Sequence, residues 1–225
     1  PNRAGFTTIG AKFCMGWTSL ESVDFGCTTT IKNNAFNGCT SLKEITVPAN
    51  VTKIETNLCD GCTGLTKATI LGNAELLSSA FKNCTSLTEV SIENVTYISS
   101  STFYGCTSLT SITLPANATK IEKEAFYKTG ITSITIPASV TSIGEKAFLS
   151  PTVLTSVTFE PNSQLTYVGT SAFSGCVGLK SINLPETVSE IGNDAFSGCV
   201  ALTEISLPEA LVTLAGNIAA RSIRD

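Results

Sequence analysis

The sequence predicts an α/β-type repeat solenoid, mostly β, of about nine coils with a parallel sheet on one face. Three observations predict this class. An aliphatic residue recurs every 22 to 25 residues, phenylalanine recurs at one phase after it, and a short apolar and polar alternation ends most units at proline. Because the pattern runs from Ile9 to Leu214, we predict a single domain over residues 1–225.

The aliphatic residue that opens each unit defines the coils. A possible cap is predicted from Leu214 onward. The nine coils are predicted to start near Ile9, Ile31, Ile54, Leu76, Ile98, Ile121, Ile143, Val168 and Ile191. Seven of the eleven phenylalanines lie five residues after an opening: Phe36, Phe81, Phe103, Phe126, Phe148, Phe173 and Phe196. After Leu214 the phenylalanine is lost, which indicates either a degenerate cap or a boundary inside a longer array.

The second half of each unit reads Leu-x-x-Ile-x-Leu-Pro, as at 42–48, 109–115 and 202–208. Its alternation and its Ile, Val and Thr content predict a short half-buried strand, which proline then ends because it lacks the next backbone donor. A second short extended piece, such as 140–143, leads into the next coil. The Ala-Phe step that follows is too short for a regular helix and predicts a turn or one helical turn.

These repeats resemble a known class. The segments AFNGCTSLKEITVP, STFYGCTSLTSITLP and AFSGCVALTEISLP are similar to the BspA-like leucine-rich repeats of bacterial and protist surface proteins. The resemblance covers nearly the whole chain and implies a leucine-rich-repeat right-handed superhelix. It also implies a cell-surface or secreted protein that adheres to host matrix proteins or to other cells. The family motif contains no catalytic residues, so none is implied here.

Several units depart from the consensus. The first coil has Trp17 where others have cysteine, and the third has Cys59 in the phenylalanine position and Ala68 in its strand, so we expect a thinner core there. The seventh has Pro151 at the cysteine position and two extra residues near 160–164, which predict a bulged loop.

Nine cysteines suggest three interpretations: disulfides, a metal site or a core column. Six of them share one phase, eight residues after an opening, and cysteine is small and buries well, so we predict a buried column. Stacked side chains point the same way whereas a disulfide needs a torsion near 90°, so free thiols are expected. Cys59 and Cys62 have Cys-x-x-Cys spacing, but phase explains both. The column members are Cys39, Cys62, Cys84, Cys106, Cys176 and Cys199.

Composition excludes several functions. The net charge of −4 disfavours nucleic acid as a partner, since binding DNA or RNA needs clustered Lys and Arg. No run approaches 18 apolar residues, so no membrane insertion is predicted. The absence of histidine removes the commonest general base and metal ligand. No nucleophile, phosphate-loop or calcium-loop motif occurs. We therefore predict no enzyme, no cofactor and no metal; the oligomeric state stays open.

The outward positions of the predicted strands form the candidate ligand surface, because solenoid curvature turns a sheet face into a platform. None of the chosen positions is aromatic, so no hot spot stands out and a weak, multivalent contact is expected. The candidate residues are Lys43, Glu44, Thr46, Lys67, Thr69, Glu89, Ser91, Thr110, Thr113, Lys180, Asn183 and Glu204.

The predicted function is a non-catalytic cell-surface or secreted protein-binding module, with a host matrix protein or a microbial surface as its ligand. The alternative is a structural spacer within a larger surface protein. Carbohydrate binding is the weakest of the three, because sugar platforms usually expose aromatic rings for stacking.

Overall fold

The computed structural model describes residues 6–76, 78–149 and 153–215. Within these residues the regular structure is entirely β, and turns rather than a helix follow each opening. In chain order the strands are β1 (Thr8–Ile9), β2 (Thr30–Ile31), β3 (Glu44–Val47), β4 (Lys53–Ile54), β5 (Lys67–Ile70), β6 (Glu75–Leu76), β7 (Glu89–Ser91), β8 (Tyr97–Ile98), β9 (Lys120–Ile121), β10 (Ser133–Ile136), β11 (Ser142–Ile143), β12 (Ser156–Phe159), β13 (Tyr167–Val168), β14 (Ser181–Asn183), β15 (Glu190–Ile191), β16 (Glu204–Ser206) and β17 (Thr213–Leu214).

The two-residue strands confirm the predicted phase, because each of them ends on an opening aliphatic residue, Leu214 included. They pair in parallel, opening against opening, so that Ile31 lies beside Ile54 and Ile98 beside Ile121. One sheet is β1-β2-β4-β6 and another runs from β8 to β17. The solenoid of about nine coils is therefore confirmed. We number the coils 1 to 9 from Ile9 to Ile191.

The longer strands form the parallel ladders β3-β5-β7, β10-β12 and β14-β16, which together make the strand face. The strand predicted at 109–115 is wrong as a ladder member, because the structure assigns no strand to coil 5 there. Its burial alternation is nevertheless kept, with Leu109 and Leu114 buried and Thr113 exposed. Apolar alternation determines which side chains face the core, whereas ladder pairing also needs adjacent coils to lie close enough for backbone hydrogen bonds.

The phenylalanine column is the centre of the core. From Phe81 to Phe196 successive rings stack with centroids 5.2 to 5.9 Å apart and planes within 15° of parallel. Cys59 interrupts the column in coil 3. The ring of Phe36 in coil 2 instead meets Phe25 edge-on at 5.9 Å.

The cysteine column lies beside the phenylalanine column and confirms the core interpretation. All six members are buried, and each Sγ donates a hydrogen bond to a carbonyl of the preceding coil at 3.0 to 3.3 Å. Burial raises the pKa of the Cys106 thiol to about 12 and is the main cause that raises the pKa of Cys39 to about 11. None of the nine cysteines, all of which lie within the described residues, forms a disulfide; Cys27 is exposed and the other eight are buried.

Threonine ladders flank both sets of strands, and they explain the threonine-rich composition better than surface filling does. On the strand face, Thr88 Oγ1 donates to the carbonyl of Thr66 at 3.2 Å. Beside the short strands, Thr141 Oγ1 donates to the carbonyl of Thr119 at 3.1 Å. Each such hydroxyl joins one coil to the coil before it.

The irregular units are visible where the structure describes them. Trp17 is 55% exposed, in the first coil. The predicted bulged loop near 160–164 is present and is tied to coil 6: Ala138 N donates to Glu160 Oε2 at 3.0 Å, and Gln164 N donates to the Ala138 carbonyl at 2.8 Å. Pro151 and the segment 216–225, in which the possible cap would lie, are outside the described residues.

Candidate ligand-binding face

The strand face presents every second residue of its strands to solvent. In β3, for example, Glu44 and Thr46 are exposed while Ile45 and Val47 are buried. Among the twelve predicted residues, Thr69 and Ser91 are half-buried and the other ten are exposed. The alternation thus placed all twelve on the outward side.

A groove of about 620 Å³ runs along this face from coil 3 to coil 7. We name this the strand-face groove. It brings together five of the predicted residues: Lys67, Thr69, Glu89, Ser91 and Thr113. The other seven lie outside its lining: Lys43, Glu44, Thr46, Thr110, Lys180, Asn183 and Glu204.

Other outward residues line the groove but were not among the twelve. Their signal was available in the sequence, because they occupy the phase of Lys67 and Thr69 in later coils. In the ladder, Ser133 lies beside Ser156 and Thr135 beside Thr158. The Oγ1 atoms of these two threonines are 2.9 Å apart, so hydroxyls form a continuous row. The omitted lining residues include Ser111, Ser133, Thr135, Ser156, Thr158 and Glu160.

The charges of the face largely neutralise each other. Glu44, Lys67 and Glu89 are register neighbours in β3, β5 and β7. Lys67 Nζ lies 3.0 Å from Glu89 Oε2, and this hydrogen bond is the main cause that raises the pKa of Lys67. At one end the groove therefore carries an ion pair, and its middle is lined both by hydroxyls and by apolar residues such as Val90 and Ile112.

Thr110 has a structural role in addition to its exposure. Its carbonyl accepts a hydrogen bond from Thr132 N at 3.1 Å, so its backbone belongs to the strand-face threonine ladder. The sequence predicted ligand contact at Thr110, yet this residue lies beside the groove rather than in it.

The described residues were also compared with what a metal site and a membrane-spanning helix require. No group of three or more His, Cys, Asp or Glu side chains is placed to hold a metal ion within the described part of the chain. Over the same residues, none of the structure is a helix long and apolar enough to cross a bilayer.

The repeats match the model of the BspA type leucine rich repeat region, in six copies over residues 7–129 and 119–221. The chain belongs to this family. A search of the curated proteins finds no match for the BspA-type chain. Its identification therefore depends on the family model, which covers nearly all of the described coils.

Two solved structures with TM-scores above 0.5 share the fold, and a third is similar at a lower score. The leucine rich repeat protein TpLRR of T. pallidum has a TM-score of 0.54 and 24% identity, covering 90% of the BspA-type chain and 85% of its own. The pneumococcal vaccine antigen PcpA has a TM-score of 0.59 and 22% identity; the match covers 82% of the BspA-type chain and 57% of PcpA. A leucine rich cell surface protein from Faecalibacterium prausnitzii A2-165 is 26% identical at a TM-score of 0.47; the match covers 87% of the BspA-type chain and 78% of that protein.

Proposed function

We propose that this chain is a non-catalytic protein-binding module of a cell-surface or secreted protein, and that its ligand binds in the strand-face groove. The finer role is adhesion, with a host matrix protein or the surface of another microbial cell as the ligand. Membership of the BspA-type family supports this role and location. The observation that carries the proposal is the groove of about 620 Å³ across coils 3 to 7.

The composition of the groove supports binding rather than chemistry. Its lining repeats hydroxyl groups at one register, coil after coil, and the chain has no histidine to activate any of them. Repeated donors and acceptors suit an extended segment of a protein ligand, since each coil adds a similar contact. Several weak contacts then sum to a useful affinity.

A solid-phase screen against purified extracellular-matrix proteins and whole bacterial cells tests the proposal. The blocking variant is Thr113→Trp, which places a large ring on an exposed position inside the groove. The control is Ala116→Trp, which adds the same ring at an exposed position directly after Pro115, outside the lining. We expect binding of at least one ligand, its loss in Thr113→Trp and its retention in Ala116→Trp.

Charge variants test the end of the groove at Lys67 and Glu89. Lys67→Glu places a third carboxylate between Glu44 and Glu89, and we expect weaker binding by roughly fivefold, as for the loss of one exposed charge contact. The double change Lys67→Glu with Glu89→Lys restores the ion pair in the opposite orientation. A ligand that the double variant binds as the wild type does would not contact these charges.

The alternative, a structural spacer, is supported by the continuous ladders. Stacked phenylalanines and threonine hydroxyls join nearly every coil to the next, as a stiff rod requires. A spacer predicts that the chain binds nothing in the same screen. Retained binding by Thr113→Trp would instead move the ligand site off the strand face.

A further inference from the structure

Two tyrosines stack on the surface of the turn that follows the phenylalanine column. The ring centroids of Tyr104 in coil 5 and Tyr127 in coil 6 are 4.6 Å apart, with planes 13° from parallel. Gly105 N donates to the Tyr127 carbonyl at 2.8 Å, which keeps the two turns in register. Both side chains are half-buried, so their edges face solvent.

Two lysines flank this pair. Lys82 Nζ lies 4.9 Å from the ring centroid of Tyr104, and Lys128 Nζ lies 5.2 Å from that of Tyr127. Such contacts are attractive because the face of an aromatic ring carries partial negative charge. The nearest acid in the same column is Asp60, one coil before Lys82; its charge interacts with that of Lys82, which opposes the rise that burial causes in the pKa of the Asp60 carboxyl. The ion pairs of the described residues use other lysines: Lys32, Lys53, Lys67, Lys123 and Lys146.

The pair is specific to the middle coils. The backbone bonds that join the turns place one residue of each coil in this column, and in coil 7 it is the half-buried Leu149. No other described coil has an aromatic residue there. Lys82 is the member in coil 4, and the remaining members are Met15, Asn37, Asp60, Ser174 and Ser197.

Lys128 also departs from the repeat in its backbone. Its φ is 54°, in the left-handed region that disfavours a residue with a Cβ. At the same position six coils have glycine, with φ between 72° and 75°: Gly16, Gly38, Gly61, Gly105, Gly175 and Gly198. The chain thus keeps a strained lysine next to the tyrosine pair where glycine would fit better.

We propose that Lys82, Tyr104, Tyr127, Lys128 and Leu149, which we name the turn patch, bind an acidic segment of a protein partner. This second site is independent of the strand-face groove. One face of each ring lies against the other ring, and an ammonium group lies within 5.2 Å of each centroid, which disfavours the stacking of a sugar on these rings. What remains accessible is ring edges, which carry partial positive charge, together with hydroxyls and ammonium groups. Carboxylates with apolar neighbours complement this surface, and tyrosine is enriched at the centres of protein interfaces.

The test uses an acetylated and amidated heptapeptide of six glutamates around a central leucine, with the matching glutamine peptide as control. The chain is labelled with ¹³C in its four tyrosine rings, and the peptide is titrated in at low salt. We expect the ring signals of Tyr104 and Tyr127 to shift with the glutamate peptide, while those of Tyr97 and Tyr167 do not. Equal shifts with the glutamine peptide would overturn the proposal.

Lys128→Gly separates binding from folding. It removes the charge while relieving the backbone strain, so we expect the variant to be at least as stable as the wild type and to bind the glutamate peptide about fivefold more weakly. Lys146→Gly is the matched control: Lys146 also has a positive φ, 55°, but lies one coil on and pairs with Glu145. Lys82→Met supplies a second loss of charge that keeps the length of the side chain.

The proposal is overturned if Lys146→Gly weakens binding of the glutamate peptide as much as Lys128→Gly does. It is equally overturned if Lys128→Gly and Lys82→Met both bind as the wild type does. A heparin tetrasaccharide is the third arm. Shifts of Tyr104 and Tyr127 with the tetrasaccharide but not with the glutamate peptide would make the turn patch a site for an acidic polysaccharide and contradict a protein partner.

Discussion

Coils 4 to 9 and coils 1 to 3 follow the same repeat but hold their cores together differently. In the later coils six phenylalanines stack without a gap, and Phe126 has a parallel ring on either side at 5.5 and 5.2 Å. In the earlier coils Cys14 and Cys59 occupy the phenylalanine positions, so Phe36 has only the edge contact with Phe25.

The position directly after the opening aliphatic residue separates coils 7 to 9 from coils 2 and 3. Coils 7, 8 and 9 have glycine there, and the backbones approach so closely that a Cβ on Gly169 would lie 2.6 Å from the carbonyl carbon of Gly144. Coils 2 and 3 have Lys32 and Glu55 instead, which form an ion pair at 2.9 Å. Because each coil contacts mainly its neighbours, stability in a solenoid is local, and these substitutions should make the two regions unequal.

The largest expected effect comes from the aromatic column. Phe126→Ala should lower the free energy of unfolding by about 3–5 kcal/mol, since it leaves a cavity between two stacked rings. Phe36→Ala removes a ring with one edge contact and should cost about 1 kcal/mol less. Urea unfolding followed by far-ultraviolet circular dichroism measures both, and equal losses would contradict the contrast.

The glycine position gives the next effect. Gly169→Ala should destabilise the chain by about 1–3 kcal/mol, because the backbone of coil 7 must move to admit the methyl group. Gly10 occupies the same position in coil 1, where an added Cβ meets nothing within 4 Å. Gly10→Ala should therefore be neutral or slightly stabilising. Thermal unfolding of the two variants measures both effects. A loss of melting temperature in Gly10→Ala as large as in Gly169→Ala would contradict the expected difference.

Thiol labelling compares local opening in the two regions. At pH 8 in native buffer, an aromatic disulfide reagent should react first with exposed Cys27, and then with Cys14 before Cys106. Cys106 is buried in the stacked region, and burial raises its pKa to about 12, so little thiolate forms while the site stays closed. Mass spectrometry of timed samples orders the sites. Labelling of Cys106 before Cys14 would reverse the ranking of the regions.

The smallest effect is a pH dependence shared by both regions. Hydrogen bonds from Lys32 to Glu55, and from Lys123 and Lys146 to Glu145, lower the pKa of each carboxyl below 4.5. A carboxyl with a lowered folded pKa stabilises the fold above its unfolded pKa, and this contribution is lost as the pH falls through the folded pKa. The melting temperature should therefore drop below pH 4.5, and less steeply in Glu145→Gln. If the melting temperature of Glu145→Gln falls with pH as steeply as that of the wild type, the ion pairs of Glu145 do not contribute to the pH dependence.

The repeat was predictable because stacking requires equivalent residues in every coil. All ten aliphatic openings end short strands, and the cysteine phase alone indicated a core column. Alternation also placed the outward residues correctly. It could not separate Lys67, inside the groove, from Glu44, outside it, because the two are register neighbours and differ only in which coils surround them.

The sequence by itself determined the coil count, the buried columns and the outward side of the strands, since these depend on periodicity and side-chain size. Tertiary structure decided the interruption of the strand-face ladder at coil 5, the extent of the groove and the stacking of Tyr104 on Tyr127. These depend on distances between coils and on rotamers, which a one-dimensional period does not specify. The stack of coils that the openings predict is thus confirmed, while the extent of the groove and the turn patch emerge only from how neighbouring coils pack.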